Sequence, residues 1–151
     1  MLRLLVADKD LNARKQVANI LIESGYDVMV TDSALRAMKN VLNNNVQILL
    51  MGTELAEMHS AELLPMLKQC NKKLAIILVS DETPLALMRK VRKLGIFYHA
   101  LRPFEAEGRE EIRQVVKCAM QNLLRTADRQ LWVVCPFKVW VQIKPLHLVQ
   151  T

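Results

Sequence analysis

Four short apolar runs of this chain end in residues that can do chemistry. Leu2–Ala7 runs into Asp8-Lys9-Asp10, and Val46–Met51 into Gly52-Thr53-Glu54. Leu74–Val79 runs into Ser80-Asp81, and Phe97–Leu101 into Arg102-Pro103. Carboxylates gathered in one cleft can hold a divalent cation, and a hydroxyl with a guanidinium can hydrogen-bond an anion. Lys9 works against the first use. An ammonium beside Asp8, Asp10 or Glu54 would partly neutralise the acids and repel a divalent cation at close range. A buried Asp8 needs a partner, which Lys9 or Arg102 can supply. His59 has only Glu57 nearby as a carboxylate, and His99 lies within an apolar run. The chain has no Gly-rich phosphate loop, GxSxG or HExxH, so no hydrolase or transferase is read. Cys70, Cys118 and Cys135 are far apart and form no CxxC, which points to neither a zinc site nor a disulfide framework.

These strand ends have to be brought together by the elements that carry them. Leu2–Ala7 reads as a buried strand. Asp10 can cap a helix from Leu11 to Ser24, with Ala13, Val17, Ile20 and Leu21 on one face, and Gly25 stops it. Tyr26–Thr31 is a second strand. Asp32 or Ser33 caps a second helix, read with Leu35, Met38 and Leu42 inward and ending in Asn43-Asn44-Asn45. Val46–Met51 is the third strand, and Ser60–Cys70 the third helix. Pro65 inside that helix predicts a late start or a kink. Leu74–Ser80 is the fourth strand, and Thr83-Pro84 opens a fourth helix that ends at Gly95. Phe97–Leu101 is the fifth strand, and the fifth helix runs from Glu105 to Arg125. Strands apolar on both faces, alternating with helices, predict a parallel sheet covered on both sides. Right-handed crossovers make it a doubly wound α/β sandwich, with its site at the carboxyl ends of the strands.

At 151 residues the chain has the length of one ordinary domain. Apolar residues make up 52% and charged residues 24%, which excludes a disordered or collagen-like chain. Apolar runs of about six residues fall far short of the roughly 20 that cross a membrane. The N-terminus is too short in apolar residues for a signal peptide, so a cytosolic location is expected. The net charge of +6 is mild. After Arg125 the character changes: 126–151 holds both tryptophans and four charged residues. A period of two through Phe137, Val139, Val141 and Ile143 predicts a strand. A second strand at Leu131–Cys135 precedes it, with Pro136 at a turn or bulge. Two parts are therefore expected, 1–125 and a β-like extension 126–151.

In its first part the chain resembles the receiver domain of two-component response regulators, the CheY-like fold. The resemblance covers about Leu2 to Leu124. It rests on Leu4-Leu5-Val6-Ala7 leading into Asp8-Lys9-Asp10, on Arg14, and on Met58-His59-Ser60-Ala61-Glu62-Leu63-Leu64. Further markers are Leu78-Val79-Ser80, Lys93-Leu94-Gly95 and Leu101-Arg102-Pro103-Phe104. It implies a five-stranded sheet in the order 2-1-3-4-5. It also implies a site in which an Asp ending the third strand accepts a phosphoryl group. Acids after the first strand hold Mg²⁺ there, and a Ser or Thr and a Lys bind the phosphoryl oxygens.

This chain departs from that pattern at the reactive centre. Met51 stands where the acceptor Asp belongs, and a thioether cannot accept phosphoryl. Lys9 replaces an acid and Arg102 a lysine, while the loop Gly52–Met58 is one residue longer than the family's and lacks its proline. Asp8 and Ser80 match, and Asp10 adds an acid. The resemblance with these departures implies a degenerate receiver that signals by binding, with no cofactor. Mg²⁺ is disfavoured, Asp8 being its one weak candidate ligand. The residual pocket is expected to comprise Asp8, Lys9, Asp10, Met51, Glu54, Ser80 and Arg102. The expected interaction face is the fourth helix through the fifth, with Arg89, Lys90, Arg92, Lys93 and His99. Its partner would be a signalling protein or a second copy, met through this face or the tail. Two rival readings are a ligand- or metal-dependent switch in the pocket and, less favoured, a nucleic-acid accessory protein using the basic fourth helix. That helix lacks interleaved aromatics for stacking on bases.

Overall fold

The computed structural model describes residues 2–81, 85–102, 105–124, 131–134 and 140–143. Five βα units follow in sequence. They are β1 (Arg3–Ala7), α1 (Leu11–Glu23), β2 (Asp27–Thr31), α2 (Ala34–Leu42), β3 (Ile48–Met51), α3 (Ser60–Cys70), β4 (Ala75–Ser80), α4 (Leu85–Lys93), β5 (Tyr98–Leu101) and α5 (Ala106–Leu124). The strands form one all-parallel sheet in the order β2-β1-β3-β4-β5, the doubly wound arrangement expected. Two further strands, β6 (Leu131–Val134) and β7 (Trp140–Ile143), form an antiparallel pair as a separate two-stranded sheet. Thr83-Pro84, Pro103-Phe104, Pro136 and Phe137–Val139 lie outside the described residues.

The sheet's alternation builds two cores. Leu4, Val6, Ile48, Leu50, Ile77 and Val79 point to one face, against Val17, Ile20 and Leu21 of α1 and Ile112, Val115 and Val116 of α5. Leu5, Ala7, Leu49, Met51, Ile76 and Leu78 point to the other, against α2, Leu63, Leu64 and Leu67 of α3 and Val91 of α4. Period two along a strand puts adjacent residues on opposite faces, so each strand serves both cores.

The helix ends follow from local chemistry. The Asp10 carboxylate accepts the Asn12 and Ala13 amides at the start of α1, and Gly25 ends that unit at φ +90°. Asn44 takes the left-handed turn after α2 at φ 57°, a conformation asparagine tolerates better than most residues. Helix α3 starts at Ser60 and runs on through Pro65, so it has no late start.

Helix α2 corrects the sequence reading. Leu35 and Leu42 are 63% and 59% exposed, while Ala34, Ala37 and Val41 are buried. The reason is its N-terminus. The Glu57 carboxylate accepts the Ser33 hydroxyl at 2.7 Å and the Ala34 amide at 2.8 Å, and Ser33 caps the Arg36 amide. With its start clamped there, the helix turns its small-residue stripe toward the sheet.

Candidate functional site

Backbone hydrogen bonds carry the ladder past the strand ends and so position the loops. The Asp8 amide donates to the Thr31 carbonyl (3.1 Å), Gly52 to Ala7 (2.9 Å), Lys9 to Glu54 (3.0 Å) and Arg102 to Ser80 (3.0 Å). Asp8, Lys9, Asp10, Thr53, Glu54 and Arg102 come together around an open cleft of about 390 Å³. Five of the seven expected pocket residues are there, and Thr53 joins them.

Met51 and Ser80 do not line the cleft, which corrects the expected lining. Register pairs Met51 with Ala7 and Leu78, and its side chain is fully buried in the α2–α3 core. The strand pleat turns it away from the cleft. Ser80 is 1% exposed. Its hydroxyl donates to the Asp81 carbonyl (3.0 Å) and lies 2.7 Å from His99 Nε2. His99 is thus turned partly inward. Burial, then the charge of Arg92, holds its pKa below the ordinary histidine value.

The residue that does face Asp8 is Gly52. A Cβ built on Gly52 would fall on the Asp8 carboxyl group. The pleat explains this: residue 52 follows Met51 and points the opposite way. Asp8 is buried. Its Oδ1 accepts the Asp10 amide at 2.9 Å, and its carbonyl accepts Arg14 Nη1 at 2.8 Å.

Arg102 sits among the acids. Its Nη1 lies 3.1 Å from Asp10 Oδ2 and 3.5 Å from Asp81 Oδ2, and its side chain is 16% exposed. Its Nε is buried and has no hydrogen-bond partner among the described residues. Lys9 lies exposed at the rim, and no ion pair ties it to a carboxylate among the described residues. The cation that neutralises these acids is therefore Arg102, a role the sequence reading had given chiefly to Lys9. The amide of Asn12, above all, holds the Asp10 carboxyl below its usual range, and Arg102 adds to this. Glu54 is an exposed loop residue 3.6 Å from His59 Nδ1.

The β3–α3 loop is fastened at several points. Ser60 Oγ donates to the Thr53 carbonyl, the Ala56 amide to the Asp32 carbonyl, and Glu57 caps α2. Glu57 is a structural residue that sequence reasoning noticed only as a neighbour of His59. Its carboxyl is held low chiefly by the Ser33 hydroxyl.

The chain matches the family model for the response regulator receiver domain over residues 4–117. It belongs to the response regulator receiver family. In fold it is similar to the chemotaxis response regulator CheY4 of Vibrio cholerae, at 16% identity and TM-score 0.68, covering 79% of this chain and 98% of that one. A two-component response regulator from Clostridium difficile matches at 13% identity and TM-score 0.73, covering 83% and 100%. The beryllofluoride-activated NtrC4 receiver domain dimer matches at 18% identity and TM-score 0.68, covering 79% and 99%. The expected receiver fold is confirmed.

The receiver family implies Mg²⁺ at the strand-end acids, and in this receiver both acids after β1 already carry other contacts. Asp8 has one oxygen on the Asp10 amide and lies over Gly52. Asp10 is committed to the helix cap and to Arg102. Among the described residues, no three His, Cys, Asp or Glu side chains gather to hold a metal ion. Nor, among them, is any helix long and apolar enough to cross a membrane.

Burial, opposed by the Asp10 amide and Arg102, raises the Asp8 pKa above 3.8. Between 3.8 and that raised value the folded state binds more protons than the unfolded chain, so stability falls as pH rises through this window. Asp8→Asn keeps the size and removes the titration. The melting temperature of wild type minus that of Asp8→Asn is expected to decline as pH rises across the window and then level off. Glu57 titrates in both proteins and cancels in the difference, whereas Asp10, which interacts with Asp8, adds its own coupled change. A flat difference would show that the Asp8 environment does not penalise its charge.

Proposed function

We propose that this receiver domain is not phosphorylated and acts in two-component signalling by binding a protein partner, without enzymatic activity or a cofactor of its own. One observation carries this reading: β3 ends without a carboxylate facing the acids of β1. Met51 points into the core, and the place of a side chain at 52 is filled by Asp8. Counting from Gly52 as the position that faces Asp8 also removes the extra residue from the loop to Met58. On either alignment no aspartate stands there, so no acyl phosphate can form on it.

The partner surface we favour is α4–β5–α5. Arg89, Lys90, Arg92 and Lys93 are exposed on α4 and form no ion pair among the described residues. Four such cations suit an acidic protein face. The NtrC4 receiver forms a dimer, and by that likeness a second copy of this chain is a candidate partner. We read 1–125 as the receiver unit and 126–151 as an extension to it, and place the protein in the cytosol.

The test is incubation with a small phosphodonor and Mg²⁺, followed by intact-mass measurement and hydroxylamine treatment. The expected result is no mass gain of one phosphoryl group. A hydroxylamine-labile adduct would overturn the reading.

A further inference from the structure

We propose that Arg102 is the resident cation of this receiver's acidic cleft, occupying in permanent form the electrostatic role of a divalent ion and excluding Mg²⁺. The inference rests on the reading of a receiver without phosphoryl chemistry and deepens it.

Three observations converge. Arg102 Nη1 is within 3.5 Å of carboxylates from two different loops, Asp10 after β1 and Asp81 after β4. The side chain is mostly buried, and its Nε is enclosed without a hydrogen-bond partner among the described residues. Its backbone is also fixed, because the Arg102 amide donates to the Ser80 carbonyl. A guanidinium is always charged and presents its donors in a rigid fork. It therefore ties the β1–α1, β4–α4 and β5–α5 connections together at every working pH. A divalent ion that approached Asp10 would have to displace it or meet its charge at close range.

The geometry also distinguishes Arg102 from Lys9, the other cation of the cleft, which lies exposed and unpaired with a carboxylate among the described residues. Among the described residues no carboxylate pairs with Lys9, whereas two pair with Arg102.

The experiment is Mg²⁺ titration by calorimetry of wild type, Arg102→Met and Lys9→Met. In parallel, the Arg102 Nε–H resonance of wild type is followed by NMR. Wild type and Lys9→Met are expected to give no saturable heat. Arg102→Met is expected to gain saturable binding, at least about tenfold tighter than any residual wild-type signal. The wild-type Nε–H is expected to exchange slowly with solvent and to stay unshifted as Mg²⁺ rises. Saturable wild-type binding, or a saturable shift of the Nε–H, would overturn the proposal. So would a folded Arg102→Met that binds no Mg²⁺, or a gain in Lys9→Met instead. Should Arg102→Met fail to fold, the wild-type resonance decides alone. None of these outcomes depends on phosphoryl transfer, so a failure here leaves the phosphodonor result to stand or fall separately.

Discussion

Met51→Asp is expected to destabilise the receiver by about 3–5 kcal/mol and to leave it as inert to phosphodonors as wild type. The obvious repair of the family pattern would put an aspartate at this position, and the structure argues against it. The Met51 side chain is fully buried between Ala7, Leu49 and Leu78 of the sheet and the leucines of α3. Removing that packing costs about 2–5 kcal/mol, and the incoming carboxyl finds no partner in an apolar layer. Folded domains are stable by only about 5–15 kcal/mol, so much of the stability would go. Met51→Leu preserves volume and should cost less than about 1.5 kcal/mol. Urea unfolding of the three proteins measures both effects. A near-neutral Met51→Asp that becomes labelled would mean that residue 51 faces the cleft after all.

Gly52→Ala should be the second sensitive change, at about 1–3 kcal/mol. A methyl group there meets the Asp8 carboxyl group, and inserting atoms into an occupied space costs about that much. Asp8 cannot simply rotate off, because its Oδ1 holds the Asp10 amide at the head of α1. The same substitution in an Asp8→Ala background should cost under about 1 kcal/mol, since the obstacle is gone. The difference between the two backgrounds is the coupling energy of the pair. Equal costs in both would mean that the two residues do not compete for space.

These two neighbours show where sequence reading stops. Asp10 as a cap, Gly25 as a stop, the asparagine turn after α2 and the order of the five βα units are local. Each follows from one residue's hydrogen-bonding or conformational freedom, or from apolar runs of strand length. The phase of α2 is not local. Leu35 and Leu42 look as apolar in sequence as Ala34, Ala37 and Val41, yet they face out while Met38 packs against the core as expected; Glu57, some twenty residues away, fixes that phase. Membership of the cleft is not local either. Asp8, Lys9, Asp10, Glu54 and Arg102 were legible because they end strands of a parallel sheet. Met51 and Ser80 share that property and still lie outside the cleft lining.

The sequence by itself determined the fold, the family and the absence of an aspartate at the end of β3, because these depend on residue types in order along the chain. Tertiary structure alone decided which way each strand-end side chain points and which cation meets the acids. A pleat reverses direction at every residue, so one step separates Met51 in the core from Gly52 beneath Asp8. Arg102 reaches Asp10 across 92 positions of sequence because β5 and β1, with two strands between them, run parallel and both finish at the carboxyl end of the sheet.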